Sequence, residues 1–599
     1  MADSTGSSQV LNIDSEVQML LNNRKDGYNW QERRRDQWNE NYTLARDRVV
    51  INRLIQRQSV NIPLMRLVLK TLMKDIDDMP VILFENLKND KQKEVFYNEY
   101  WKYTGEKANK FEIQDIVDKK QVFFYGRSFD QWQIVNGKVK FTIVDPIDIL
   151  VSRYMDPTNI HSSRYLIHEN IFIPLAQLKA NKDLDQGEVS ELEKFFATEQ
   201  GLIKLSDNER RMQEKNEKMK DMGVPDVDNP VLGEVIVECA LHFVYRPAET
   251  VKTKNKDGKE EEVTLPEQIW VYLLAENMRK LMKKPLEEVI GQTKDHFWQN
   301  HFPYNTWADD VDNQDVWSDG IADGIRTLNK VLNSWFSQWV ENRTLRNFGM
   351  NYYDATAKAD GWTPPTVNPA PWAWIPLPGK PGEVFQKVDI PELSQSPQEM
   401  TFVMEIAEKL TGATPTKQGV QTQTRVTLGE VELALNEANE RIKGMSKFYT
   451  QVWKERALMF IKLLEAAGDK IDAVTVEKNG RNTNNIYTKE IAPSDWMDDA
   501  GYTCEVWSRD EKNQSDAQKI ERLNAIVATI PGNPKLEEIR KREMLEFAGL
   551  TPEEINEVME IEKQKMQFGV VDPMTGLPMG QPTQPLLPLP QAPQGVPAQ

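Results

Sequence analysis

The sequence predicts an α+β protein in which helix predominates, and three observations carry that prediction. In the first half, apolar and polar residues alternate around tight-turn dipeptides, as in SFDQWQIVNGKVKFTIV from Ser128 to Val144, which marks antiparallel strands. From about Ser318 to Phe348, and again from Leu428 to Ala467, apolar residues recur every three or four positions, which marks long amphipathic helices. Between them lies GWTPPTVNPAPWAWIPLPGKPG, whose prolines forbid helix and require extended, turn-rich chain.

Taken in order, residues 1–24 read as an N-terminal arm. A helix is then expected over YNWQERRRDQWNENYTLARDRVVINRLIQR, with Trp30, Trp38, Leu44, Val49 and Ile55 forming a narrow apolar face among many charges. A second helix covers IPLMRLVLKTLMKDID and ends before Pro80, after which VILFE reads as a short strand. Helices follow from about Lys88 to Tyr103 and from about Asn109 to Tyr125, the latter stopped by Gly126 as a left-handed cap. Asn136-Gly137 is the turn of a hairpin. From about Leu175 to Met222 the charged helical pattern predicts an exposed excursion. Strands return with GEVIVECALHFVYRP and EQIWVYLLAEN, joined by a polar tip containing Asp257-Gly258.

The middle differs in kind. Ile321, Ile325, Leu328, Leu332, Trp335 and Trp339 form one stripe, and Gly349 ends it. Helix resumes where Ser396 can cap, Pro397 suits the first helical position and Glu399 completes a capping box, and it runs to Gly412. Thr427 and Glu430 form a second capping box. The helix it opens carries Val431, Leu435, Ala438, Ile442, Met445, Tyr449, Val452, Met459 and Leu463 in a roughly heptad stripe as far as Gly468, on the order of 60 Å. Asp469 to Ser508 is mixed, helices are expected from about Asn513 to Thr529 and from Pro534 to Phe568, and a disordered tail rich in Pro and Gln from Val570 onward.

Composition sets limits. Charged residues are 28% and hydrophobic residues 39% of 599, with 16 Trp and 21 Phe, enough for a sizeable core. No apolar run reaches the roughly 18 residues of a membrane span, and the first residues lack a signal-peptide pattern, so folding in the cytosol is expected. Cys239 and Cys504 are too few for a disulfide framework and read as small buried residues. A net charge of -18 argues against a general phosphate-neutralising surface.

Familiar chemistry is largely missing. Gly137-Lys138, Gly258-Lys259 and Gly379-Lys380 are followed by Val, Glu and Pro, not by the Ser or Thr of a phosphate-binding loop. His168-Glu169 begins a zinc-protease pattern, but Phe172 occupies the second ligand position. His161, His168, His242, His296 and His301 show no helical pairing and read as structural. Ser128 in GRSFD lacks the last glycine and the strand-turn-helix order of a nucleophile elbow. The acidic run holding Asp309, Asp310, Asp312, Asp315 and Asp319 could bind Mg²⁺ or Ca²⁺, yet Trp317 and Arg326 break the calcium-loop pattern; acids stacked before a helix N-terminus are the simpler account. Arg33, Arg34 and Arg35 are interleaved with acids, as on a solvated helix face.

The order of elements then becomes informative: an α+β half, a long helix, a Pro/Trp-rich interruption, a shorter helix, a Thr/Gln-rich loop and a much longer helix. With VDPIDILVSRYMDPTNIHSSRYLIHE, HFPYNTWADDVDNQDVWSDGIADGIRTLNKVLNSW and TGATPTKQGVQTQTRVTLGEVE, this resembles the portal (head-to-tail connector) protein of tailed bacteriophages over roughly residues 25 to 570. The resemblance implies a wing (25–317), first stem helix (318–348), clip (349–395), second stem helix (396–411), tunnel loop (412–427), long internal helix with wing return (428–512), crown (513–569) and tail (570–599). It implies a ring, usually of twelve subunits, at one capsid vertex of the virion, assembled in the host cytoplasm, and no enzymatic activity, cofactor or metal. Double-stranded DNA would pass through it without sequence readout. Terminase and the tail adaptor would dock on the clip, with Trp362, Trp372 and Trp374 on the docking surface, and capsid and scaffolding proteins would be further partners.

The same resemblance makes Thr414, Thr416, Lys417, Gln418, Gln421, Gln423 and Arg425 the lining of the channel. A strongly acidic bore repels phosphate over a Debye length, so a collar of hydroxyls, amides and sparse cations can touch the backbone weakly and let it slide. Two other readings compete: a metal-dependent nuclease built on Asp309–Asp319, and a scaffold or adaptor whose long helices form a coiled coil.

Overall fold

A computed structural model describes residues 15–46, 61–75, 79–222, 235–254, 260–276, 279–311, 315–347, 351–354, 374–377, 380, 395–411, 428–479, 486–498, 501–507, 521–526, 534–547 and 558–559. The class is α+β, with antiparallel sheets and long helices. Residues divide into two units, Met1–Ser508 and Arg509–Gln599.

Helix α1 spans Ser15–Ala45, so the expected arm is already helical from residue 15. The reason is packing: Val17 and Leu20 are buried, and Glu16 in the first turn is gripped by Arg246, Lys280 and Lys283. Helix α2 (Leu64–Asp75) and strand β1 (Val81–Asn86) follow, the strand turning Ile82 and Phe84 inward. Asp90 caps α3 (Lys91–Tyr103) by accepting the N–H groups of Gln92 and Lys93. Helix α4 (Phe111–Tyr125) ends at Gly126, whose φ of 75° is left-handed; a Cβ there would sit 2.2 Å from the Ser318 carbonyl oxygen.

Strands β2 (Arg127–Val135) and β3 (Lys138–Val144) form the expected hairpin, with positive φ at both Asn136 and Gly137 as a type I′ turn requires. Strands β4 (Ile149–Val151) and β5 (Tyr165–Pro174) lead into α5 (Leu175–Ala180), α6 (Gln186–Phe196) and α7 (Glu199–Met222). This segment corrects the expectation of an exposed excursion. Leu178, Val189, Leu192 and Phe196 form a second core with Val237, Cys239 and Leu281, because apolar residues three and four apart make one buried stripe beneath the charges.

Strand β6 (Ile236–Arg246) is followed by a two-stranded ribbon, β7 (Glu249–Lys254) and β8 (Glu260–Leu265), where a simple tip was expected. Strands β9 (Gln268–Ala275) and β10 (Arg279–Pro285) complete a sheet ordered β10-β9-β6-β5-β4. After α8 (Leu286–Ile290), β11 (Tyr304–Ala308) pairs antiparallel with β2.

Helix α9 (Ile321–Asn347) matches the expected first long helix, but its buried stripe is Ala322, Ile325, Asn329, Leu332, Asn333 and Ser337, while Trp335 is 38% exposed. The two asparagines explain the rotation. Asn333 and Asn329 accept the backbone N–H groups of Ile62 and Met65, so they must face α2. Within the Pro/Trp-rich segment, β12 (Asn351–Asp354) and β13 (Trp374–Leu377) pair in parallel.

Helix α10 (Ser396–Thr411) begins one residue off the expected cap, since the Gln395 carbonyl accepts the first bonds from Gln398 and Glu399. Helix α11 covers Leu428–Ala467. In its last half Trp453, Arg456, Ala457, Phe460 and Leu464 join Tyr449, Val452, Met459 and Leu463 in a broad buried face, while Lys447, Gln451, Lys454, Glu455 and Leu458 form an exposed stripe opposite. The buried face of this half is therefore wider than a heptad seam, and it packs into the core of the unit. Phe460 lies among Phe84, Tyr97, Trp101 and Trp132, ring centroids 4.8 to 6.1 Å apart. Strands β14 (Val474–Asn479) and β15 (Ile486–Ile491), short helix α12 (Pro493–Trp496) and β16 (Tyr502–Trp507) follow; β16 pairs with β1, Val81 opposite Trp507, joining the two ends of this unit. In the second unit, residues 521–526 and α13 (Pro534–Phe547) are helical.

Candidate functional site

Helices α9 and α10 form an antiparallel hairpin. Leu410 and Thr411 at the end of α10 line the same cleft as Ile321, Gly324 and Ile325 at the start of α9. Met400, Val403 and Ala407 of α10 join Ile325 and Leu332 of α9 in the main core, which holds the pair together. The Pro/Trp-rich segment joins the hairpin at its far end, and the chain leaving Thr411 at the near end leads into α11.

Thr414, Thr416, Lys417, Gln418, Gln421, Gln423 and Arg425 lie outside the described residues, as do Trp362 and Trp372. Trp374 opens β13, paired with Asn351. The loop residues are flanked by described helix on either side: the Thr411 hydroxyl donates to the Ala407 carbonyl at 2.8 Å, and Leu428 begins α11.

The cleft at the hairpin base has a volume of about 650 Å³ and is lined by charge of both signs. Arg34 from α1 pairs with Asp319 and lies 3.6 Å from Asp315. Burial alone would lower the Arg34 pKa, but Asp319 and its neighbours raise it overall. Arg326 pairs with Asp323 at 2.7 Å. Burial, and then Asp310, push the Asp309 carboxyl up to about 6. The acidic run is therefore divided: Asp315 and Asp319 neutralise Arg34, Asp323 holds the Gly320 N–H at the start of α9, and Asp312 lies outside the described residues. Among the described residues no three His, Cys, Asp or Glu side chains are grouped so as to hold a metal ion.

Three of the histidines are held by hydrogen bonds within the fold. His161 Nδ1 accepts the Phe302 N–H at 3.1 Å, so its Nε2 carries the proton and offers no lone pair. His301 Nδ1 donates to the Phe297 carbonyl at 3.0 Å while its ring stacks on Phe297. His168 meets the Tyr304 hydroxyl at 2.9 Å, whereas the neighbouring Glu169 pairs with Arg24. Ser128 is buried and donates to Gln121 at 2.9 Å, with no histidine involved.

A group that sequence reasoning passed over fixes α11. Arg456, fully buried, donates from Nε to Asp130 at 2.8 Å and from Nη2 to Asp118 at 2.9 Å. Trp132 and Asn305 also donate to Asp130, and Trp307 donates to Asp118. Burial raises the Asp130 pKa, an effect the guanidinium opposes, and burial lowers that of Arg456, which the two carboxylates more than reverse. Two turns earlier, Tyr449 donates to Asp115, which Lys119 also pairs at 2.7 Å. These bonds join α4, β2, β11 and α11 at one buried node. The local sequence does not mark it: Asp118 is followed by Lys119 and Lys120, and Arg456 is preceded by Lys454 and Glu455, so both read as charges on a solvated helix face.

No protein-family model and no curated protein matches this chain.

Proposed function

We propose that this chain is the subunit of a ring-forming viral portal, through which double-stranded DNA is packaged and ejected and on which the packaging motor and tail dock. The observation that carries the reading is the α9/α10 hairpin. Its far end bears the Pro/Trp-rich segment, and its near end leads through residues 412–427 into a 40-residue helix. In a ring the hairpins would form the wall, the far ends the docking rim, and residues 411–427 the collar. The Arg456 node would hold the last half of α11 to the wing, so that forces on the collar would be borne by rigid structure. Lys417 and Arg425 would be the sparse cations of the collar, touching phosphate weakly in an otherwise repulsive bore.

Mass photometry of the purified protein tests the assembly. The reading expects a species near 830 kDa, twelve copies of 69.2 kDa, or a ring of similar number. A dimer or trimer would favour the coiled-coil scaffold instead. Mg²⁺-dependent DNA cleavage lost in Asp309→Ala would favour the nuclease.

A further inference from the structure

The three consecutive arginines of α1 diverge: Arg34 goes to the acidic cleft described above, whereas Arg35 turns to the opposite side. There a second cleft of about 640 Å³ opens between α1 and α7, above the bulge in β5. At the bulge Asn170 is left-handed, with φ of 55°, and its side chain bridges Arg211 to Asp148. Four cations line the cleft, Arg24, Lys25, Arg35 and Arg211, against one carboxylate, Glu169, in a chain whose net charge is -18.

These cations are prepared for a ligand in different degrees. Arg24 pairs with the buried Glu169, and Arg211 with Glu238 at 2.7 Å. Arg35 meets no carboxylate at ion-pair distance among the described residues. It donates to the Ile147 carbonyl at 2.9 Å and to Gln31 at 2.7 Å, and lies 4.3 Å over the Tyr28 ring. Lys25 is exposed and likewise meets no carboxylate among the described residues. Tyr28, 41% exposed, adds a flat amphipathic surface.

From this we infer that the α1–α7 cleft is a docking site for an acidic peptide segment of a partner protein, whose carboxylates engage Lys25 and Arg35 while an apolar side chain rests on Tyr28. A duplex is too wide for so small a recess, and cations that alternate with Glu169 and Glu238 do not form the continuous positive track that a phosphate backbone needs. Fixed guanidinium forks beside carboxylates suit discrete planar anions, which a Glu or Asp side chain supplies.

The test uses the full-length protein and fluorescence anisotropy with three labelled probes: an eight-residue Glu-rich peptide with one central Tyr, its Lys-rich counterpart, and an eight-nucleotide oligothymidylate; inorganic phosphate serves as competitor. The acidic peptide should bind at least about tenfold more tightly than the oligonucleotide, and Lys25→Glu or Arg35→Glu should weaken it about tenfold or more. Arg210→Glu, on an exposed position of α7 outside the cleft, should leave it unchanged. Lys25 is exposed, so its variant keeps the test valid if Arg35→Glu fails to fold. No binding of the acidic peptide, equal binding by the Lys25→Glu variant, or tighter binding of the oligonucleotide or of phosphate would overturn the inference.

Discussion

Replacing Arg456 by Leu removes the guanidinium that bridges Asp118 and Asp130 and leaves two carboxylates in a site with essentially no solvent contact. Breaking a buried pair from one side costs about 3–5 kcal/mol, because the remaining charge keeps its desolvation penalty and loses its partner. The cost should fall on the last half of α11, which the node ties to α4, β2 and β11. At about 1.4 kcal/mol per decade, hydrogen exchange of amides in 447–467 should accelerate by roughly two to three and a half decades, read by mass spectrometry. Part of the penalty is relieved as pH falls, since without the guanidinium that opposes its burial the Asp130 carboxyl takes up a proton more readily. The triple variant Asp118→Asn, Asp130→Asn, Arg456→Leu removes all the charges and should recover most of the protection. An acceleration under tenfold in Arg456→Leu, or a triple variant no better than the single, would refute the reasoning.

Three further outcomes are expected. Burial raises the Glu16 pKa, but Lys283, Lys280 and Arg246 together lower it to about 2, so its stabilisation is present above the unfolded value near 4.5 and lost as pH falls toward 2; Glu16→Gln should cost about 1–2 kcal/mol at pH 7 and little at pH 2 in urea titrations. Asp309, raised to about 6, has the opposite sign: its ionisation costs stability above pH 6 and costs nothing below about 4, so Asp309→Asn should stabilise by about 1 kcal/mol at pH 8 and not at pH 3.5, measured by the same titration. Replacing Lys417 and Arg425 by Glu should alter DNA retention or packaging yield in a packaging assay while leaving the assembled mass intact; unchanged packaging would remove the collar from the mechanism.

Much of the fold was legible because local rules acted without competition. The turn at Asn136-Gly137, the cap at Gly126 and the ends of α9 and α11 fall where backbone preference and apolar period agree. What escaped the reading depends on distant partners. The start of α1 is held by cations some 230 to 267 residues away, and the face α9 buries is set by Asn329 and Asn333 capping α2. Heptad spacing in α11 concealed how wide the buried face of its last half is, because one helix cannot show from its own sequence how many neighbours it has. The Arg456 node was illegible for the same reason, since Asp118 and Asp130 lie more than 300 residues before it. The collar and docking-rim residues rest on resemblance alone, apart from the backbone pairing of Trp374.

Single-particle electron microscopy of the assembled protein tests the central claim most directly. The account predicts a closed ring of about a dozen copies, with α9 and α10 in its wall and residues 411–427 facing the axial hole. A compact monomer under all assembly conditions, or a ring carrying residues 411–427 on its outer surface, would contradict it.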